Sequence, residues 1–238
     1  MFKSRAKKRQ SLEKKRANGV PLVAHIQPKS VYAEQYRNIR TNLSFLNLEG
    51  QLKTLTVTSS IPGEGKSTVS INLAYVLAAT GKRVVIVDAD MRKPIVHKSF
   101  NIQNTKGLST LFAHPDVNVV DAVHYEPKLN LYVLPSGPIP PNPSEMLSSS
   151  RMNVIIDDLK RHFDIVIFDV PPVGIISDAI IVSTKTDGTV LVVRQDYVTK
   201  KEVLHSKQTL ENVGAKLLGY VMNDQELDND SDYVYYGE

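Results

Sequence analysis

The stretch SSIPGEGKST, residues 59–68, decides the reading of this chain. It lies between an apolar run at 52–58 that reads as a strand and a segment at 66–79 that reads as a helix. A glycine-rich turn at such a junction lets successive backbone N–H groups converge on phosphate oxygens, and the helix N-terminus adds a positive field. Gly63 and Gly65 supply the turn, and Ser60 and Glu64 complete the predicted nucleotide-binding loop. In the P-loop pattern Lys66 reaches the β and γ phosphates, the Ser67 hydroxyl coordinates magnesium and Thr68 touches the α phosphate. Ser60 stands where the usual pattern has its first glycine.

Working outward, strands are predicted at 52–58, 83–88, 130–134, 164–169, 189–193 and 217–222. They alternate with helices predicted at 30–46, 66–79, 143–147, 152–162 and 200–212. This alternation predicts an α/β fold of three layers, a P-loop NTPase architecture with a mostly parallel central sheet flanked by helices. Several strands are apolar nearly throughout, as expected where helices cover both faces. In an open α/β sheet, ligands gather at the carboxyl ends of the strands. RVVIVDAD ends in Asp88 and Asp90 and DIVIFD ends in Asp169, so three acids from two strands are expected to face one metal beside the loop. In LPSGPIPPNPSEML, Asn142 is expected to cap a helix that has Pro143 first and Glu145 completing a capping box.

The formal net charge of +4 is unevenly placed. Residues 1–16 alone carry +7, leaving −3 for the rest. Such a run reads either as a solvated arm or as a patch for anionic headgroups or an acidic partner. No aromatic residue interleaves the basic run beyond Phe2 and no DNA-reading motif follows, so nucleic acid is not an expected partner. There is no cysteine, and the six histidines lie far apart without zinc spacing. No apolar run is long enough for a membrane-spanning helix, and the opening MFKSRAKKRQ has no secretory pattern, so a cytoplasmic location is expected. The expected division is a basic extension at 1–29, a P-loop domain at 30–224 and an acidic, tyrosine-rich tail at 225–238.

The loop at 60–67, VVIVDADMRKP at 84–94 and IVIFDVPPVG at 165–174 closely resemble the Walker A, second Walker A and Walker B motifs of bacterial tyrosine kinases. Those are the cytoplasmic kinases of capsule and exopolysaccharide synthesis. The resemblance runs from residue 30 to the end. Septum-placing and chromosome-partitioning ATPases share a similar core, but many carry a signature lysine where this chain has Ile61 and Pro62. EQYRNIR, with Glu34, Arg37 and Arg40, resembles the family's Glu-x-x-Arg-x-x-Arg motif, which serves subunit contacts in an octameric ring. Tyr32, Tyr36, Ile39, Leu43 and Leu46 form an apolar stripe at helical spacing, which leaves the charged trio on the flank and far side of the helix, facing either a neighbour or solvent. The resemblance further implies an adenine contact at Asn223, a separate transmembrane activator at the inner face of the membrane, and magnesium ATP as phosphoryl donor.

It also implies that Tyr233, Tyr235 and Tyr236 are phosphorylated between subunits. The alternative is a tail that packs its rings on its own domain or adds an edge strand. A tyrosine hydroxyl has a pKa near ~10, so a nearby base helps as it attacks phosphorus. Asp88 is the expected base, with Lys66 and magnesium neutralising charge and Asp90 and Asp169 assisting; the sequence leaves the division among the aspartates open. Three phosphates would add roughly −5 to a tail already holding Glu226, Asp228, Asp230, Asp232 and Glu238, so phosphorylated tails are expected to leave their neighbours and loosen the ring. Two rival readings are an ATPase switch that phosphorylates no protein and a nucleotide-dependent scaffold.

Overall fold

The structure is a computed structural model that describes residues 19–46 and 52–224. The tyrosine cluster at 233, 235 and 236 and the basic run at 1–16 lie outside the described residues. Seven strands form one sheet: β1 (Thr54–Ser59), β2 (Val84–Asp88), β3 (His124–Glu126), β4 (Leu131–Leu134), β5 (Ile165–Asp169), β6 (Gly188–Arg194) and β7 (Leu217–Asn223). Their order is β3-β4-β2-β5-β1-β6-β7, parallel throughout except for β3 against β4. Alternate residues enter opposite cores, Val84 and Ile86 of β2 on one face and Val85 and Val87 on the other. Both faces are therefore dry, which is why these strands read as apolar runs.

The helices are α1 (Val23–Ile26), α2 (Val31–Leu46), α3 (Lys66–Ala78), α4 (Val96–Ser99), α5 (Leu108–Ala113), α6 (Val119–Ala122), α7 (Pro143–Ser148), α8 (Ser150–His162), α9 (Asp178–Ser183) and α10 (Lys200–Asn212). α3 lies between the sheet and α2, and eleven of its thirteen residues are buried. It therefore needs no amphipathic stripe. α8 has one, burying Met152, Ile155, Ile156 and Leu159 at helical spacing against the opposite face of the sheet. α10 starts at a true capping box, in which Thr199 Oγ1 accepts the Glu202 N–H and the Glu202 carboxylate accepts the Thr199 N–H.

All six predicted strands and all five predicted helices are present, with ends moved by at most two residues. β3 and the five helices α1, α4, α5, α6 and α9 were not predicted. Each spans three to six residues, too short for periodicity to register. Three expectations need correction. The boundary after residue 29 falls inside packed structure, because Leu22 and Ala24 are buried and Asn72 holds the backbone of both Pro21 and Ala24. Asn142 caps no backbone group; its amide donates to the Glu145 carboxylate, and Pro143 opens α7. The apolar stripe of α2 is narrower than expected: Ala33, Tyr36, Ile39 and Leu43 pack inward while Tyr32 and Leu46 stay exposed.

Asp187 fixes the start of β1 against β6. Its Oδ2 accepts the N–H groups of Lys53 and Thr54 and the Thr54 hydroxyl, at 2.8 to 2.9 Å. Burial pushes this carboxyl upward, but the Thr54 and Lys53 donors, with Lys160 nearby, outweigh it and hold Asp187 below the ordinary carboxylate range. A depressed folded pKa stabilises above the unfolded value and is lost as pH falls through the folded one. Asp187→Ala is expected to cost about 2 kcal/mol at pH 7 in urea unfolding. The gap to the unsubstituted protein should narrow below about pH 4; a gap unchanged by acid would refute this account.

Candidate active site

The loop after β1 turns at Gly63 and Gly65, whose φ angles of 95° and 93° are open to glycine and strained for other residues. Its carbonyls and amides are held from behind by the carboxyl ends of β6 and β7. The buried Glu64 carboxylate accepts the N–H of Ile61 at 2.7 Å and that of Arg194 at 3.1 Å. The Arg194 guanidinium donates to Gly63 O at 3.2 Å and pairs with Asp224. The Tyr197 hydroxyl donates to Pro62 O at 3.0 Å, and the Asn223 amide donates to Glu64 O at 2.7 Å. Burial pushes Glu64 above the ordinary carboxylate range, opposed by its backbone donors.

α3 opens directly on the loop at Lys66. The Lys66 ammonium lies 3.0 Å from Asp90 Oδ2 and 3.4 Å from Asp169 Oδ1. The Ser67 hydroxyl donates to Asp169 Oδ2 at 2.6 Å, and Ser70, one turn on, donates to Asp169 Oδ1 at 3.2 Å. Parallel pairing sets Asp88 opposite Asp169 at the ends of β2 and β5. Asp88 turns its Oδ2 onto the N–H groups of Ile95 and Val96 at the start of α4, and its buried Oδ1 has no partner. Burial, reinforced by Asp169 and Asp90, pushes Asp88 up to about 8. Asp169 is also raised by burial, although Lys66 opposes the shift. Lys66 is held above its ordinary value because the attraction of Asp169 and Asp90 outweighs its own desolvation.

Two openings meet at this cluster. One, of about 230 Å³, is bounded by Gly63, Gly65, Ser67, Thr68, Arg194 and Asn223. The other, of about 730 Å³, reaches Lys66, Ser67 and Asp90 from the side of α4. The donor set suits a magnesium ion: the Ser67 hydroxyl lies beside the buried carboxylates of Asp90 and Asp169, whose two charges exceed the one ammonium. Among the described residues, however, no three His, Cys, Asp or Glu side chains converge on one point at ligand spacing.

The structure thus gathers Ser60, Gly63, Glu64, Gly65, Lys66, Ser67, Thr68, Asp88, Asp90, Asp169 and Asn223 around one loop. Three roles change. Glu64 faces inward, so only its backbone is left for a ligand. Asp88 braces α4, so it does not form a three-carboxylate cage with the other two. The charged trio of α2 is engaged within the chain: Arg37 pairs with Glu34 and donates to Pro28 O, and Arg40 donates to Val76 O at the end of α3. Arg40 sits one turn from Leu43, on the flank of the helix. Sequence reading missed Arg194, Tyr197 and Ser70. Ser70 was legible as the residue three after Ser67 on one helix face, and Arg194 as the polar end of a strand.

A strand-to-helix phosphate loop on a mostly parallel sheet, with carboxylates ending the two strands beside it, defines a P-loop nucleotide-binding protein. Residues 52–218 match the AAA domain family. The chain is 43% identical to the tyrosine-protein kinase YwqD of Bacillus subtilis (strain 168) over 91% of each. It is 39% identical to the putative tyrosine-protein kinase CapB of Staphylococcus aureus, over 95% of this chain and 100% of that one. The crystal structure of the chimerical protein CapA2B2 superposes with a TM-score of 0.82 at 40% identity, covering 88% of this chain and 94% of that one. The chain belongs to the bacterial tyrosine-protein kinases, as its motifs led us to expect.

A methyl group at position 65 would lie 2.0 Å from the Asn223 amide nitrogen, and φ there is +93°. Gly65→Ala is expected to weaken binding of magnesium ADP about tenfold by calorimetric titration, from a left-handed penalty of ~1–2 kcal/mol. Unaltered affinity would show that the loop does not need this conformation.

Proposed function

We propose that the protein is a magnesium-ATP-dependent autokinase that phosphorylates Tyr233, Tyr235 and Tyr236 of a second copy of the chain. The observation that supports this reading most directly is the meeting of two openings at Ser67, one beside the glycine loop and one beside Lys66 and Asp90. The first suits the nucleotide, with Asn223 toward the adenine and the loop amides on the phosphates. The second suits the incoming tyrosine.

In the proposed reaction the tyrosine oxygen forms a bond to the γ phosphorus as the bond to the ADP oxygen breaks. Lys66 balances the charge that builds on the phosphate oxygens and the departing ADP. The phenolic proton passes to Asp88, whose value of about 8 lies closer to the phenol's ~10 than an ordinary carboxylate's does. Magnesium, held by Ser67 with Asp90 and Asp169, supplies further neutralisation of phosphate charge when bound. Ser70 keeps the Asp169 carboxylate aimed at Ser67.

The acceptor segment starts after Asp224, which pairs with Arg194 beside the loop. Nine further residues to Tyr233 span at most about 30 Å. That reach is compatible with a neighbour's site in a ring, and the proposed ring is octameric, using the helix of Glu34, Arg37 and Arg40. Among the described residues no helix is long and apolar enough to cross a membrane. A separate transmembrane activator is proposed to recruit the kinase to the inner face of the membrane, where it regulates capsule or exopolysaccharide synthesis and export.

The full chain, incubated with magnesium ATP and membranes of the source cell, is expected to gain phosphates in steps of intact mass. Replacing the three tail tyrosines by phenylalanine should abolish the gain, and Lys66→Met should reduce it by at least about 10³-fold. Mixing Lys66→Met with the tyrosine-free variant should label the Lys66→Met chain. Phosphate release without any mass gain would overturn the kinase reading, and an unlabelled Lys66→Met chain in the mixture would overturn transfer between copies.

A further inference from the structure

The wider opening has a chemical character that the transfer reaction alone does not require. Its floor is Lys66 with Asp90, and these two neutralise each other at 3.0 Å. Its walls are largely apolar: Ile139 is 64% exposed and Ile175 57% exposed, with Pro62, Pro94, Pro171 and Pro172 around them, and the polar His97 and Asn104 also border it. Single exposed apolar side chains are ordinary, but two isoleucines and four prolines around one opening form a surface on which an aromatic ring gains by leaving water.

The rim is cationic. Arg92, Lys93 and Lys98 all border the opening. Arg92 is already spent, because its guanidinium donates to the buried Asp178 and to Ser144. Lys93 and Lys98 are exposed, and neither ammonium is in an ion pair among the described residues. Asp90 is the one acidic residue bordering the opening, and it is paired with Lys66. Lys93 and Lys98 therefore place two positive charges, unpaired among the described residues, at the rim of an apolar slot that leads to the phosphate-transfer cluster. Asp88 accepts the N–H groups that begin α4, and so anchors the segment carrying Lys93 and Lys98 to the end of β2.

We infer that Lys93 and Lys98 are specificity-determining residues that select tyrosines flanked by carboxylates, so that acidic tyrosine-bearing peptides, in this chain or in other proteins, are the preferred acceptors. The inference rests on the kinase reading above and names its substrate class. The charge pattern of the chain's own end is complementary: Asp230 and Asp232 immediately precede Tyr233, and Glu238 follows Tyr236. The tyrosine ring is taken by the isoleucine and proline walls, and flanking carboxylates meet the two lysines at the rim. Interactions of this exposed kind select a partner more than they add affinity, and salt weakens them.

The test uses the full chain with Tyr233, Tyr235 and Tyr236 replaced by phenylalanine, so that no internal acceptor competes. Two synthetic peptides are supplied with magnesium ATP: ELDNDSDYVYYGE, and the same peptide with every Asp changed to Asn and every Glu to Gln. The acidic peptide is expected to be phosphorylated with a kcat/KM roughly five- to tenfold higher, the size expected of two solvent-facing ion pairs. The ratio should fall as sodium chloride is raised. Lys93→Gln with Lys98→Gln should bring the ratio close to one while leaving the KM for ATP in place, and Lys93→Arg with Lys98→Arg should restore it. Equal rates on the two peptides, or a preference that survives loss of both lysines, would overturn the inference. The kinase reading fails on a different measurement, the absence of any mass gain in the unsubstituted chain.

Discussion

The buried ammonium of Lys66, shared between Asp90 and Asp169, is the contact on which the rest of the site depends. An ionised lysine inside a protein costs several kcal/mol unless carboxylates and hydrogen bonds surround it, and removing one partner typically costs ~3–5 kcal/mol. Here the partners come from two strands, and they reach the lysine because β5 lies directly between β1 and β2. Ser67 and Ser70, one turn apart on α3, satisfy the remaining Asp169 oxygens. Burial raises Asp88 and Asp169, and the neighbouring carboxylates add to it, while the attraction of Asp169 and Asp90 raises Lys66. The cluster carries more negative charge than one lysine can balance, which suits a site for a divalent cation and a nucleotide.

Around that charge, the loop is kept in shape by groups that never need to touch a substrate. Glu64 ties the loop to β6 through Ile61 and Arg194, and Arg194, Tyr197 and Asn223 each hold one of its carbonyls. With the carbonyls tied back, the loop amides are left for phosphate oxygens, which is the use a glycine turn at a helix start serves. The Arg194 pairing with Asp224 adds a link between this loop and the start of the tail. The wider opening on the other side is built differently, from prolines and isoleucines with lysines at its edge. The site thus has a rigid polar half for phosphates and a broader, greasier half with a positive rim.

Much of this was legible before any coordinates, because the signals were local. SSIPGEGKST announces a strand, a turn and a helix start within ten residues, and Asp88, Asp90 and Asp169 mark strand ends by following apolar runs. α10 begins and ends where it was predicted, and in the structure Thr199 and Glu202 form its start signal. The misreadings are equally physical. Short elements such as α4 and β3 carry little more than one period of pattern. Glu64 was read as a ligand from its place in the loop, while its carboxylate answers to two backbone donors behind it.

By itself the sequence determined the fold class, the phosphate loop and the acids at the strand ends, since each is written in contiguous residues whose spacing has one good structural solution, and the kinase family followed from the resemblance of its motifs. Only the tertiary structure decided what surrounds the loop. Glu64 and Arg194 are 130 residues apart and Asn223 is 159 from Glu64, so their union reflects the order in which strands pack side by side. Strand order is set by burial summed over whole faces of the sheet, a quantity that no single stretch of chain contains. The same holds for the second opening, where Pro62, Lys93, Ile139 and Ile175 meet from four separate loops and take on a joint charge and shape that none of them shows alone.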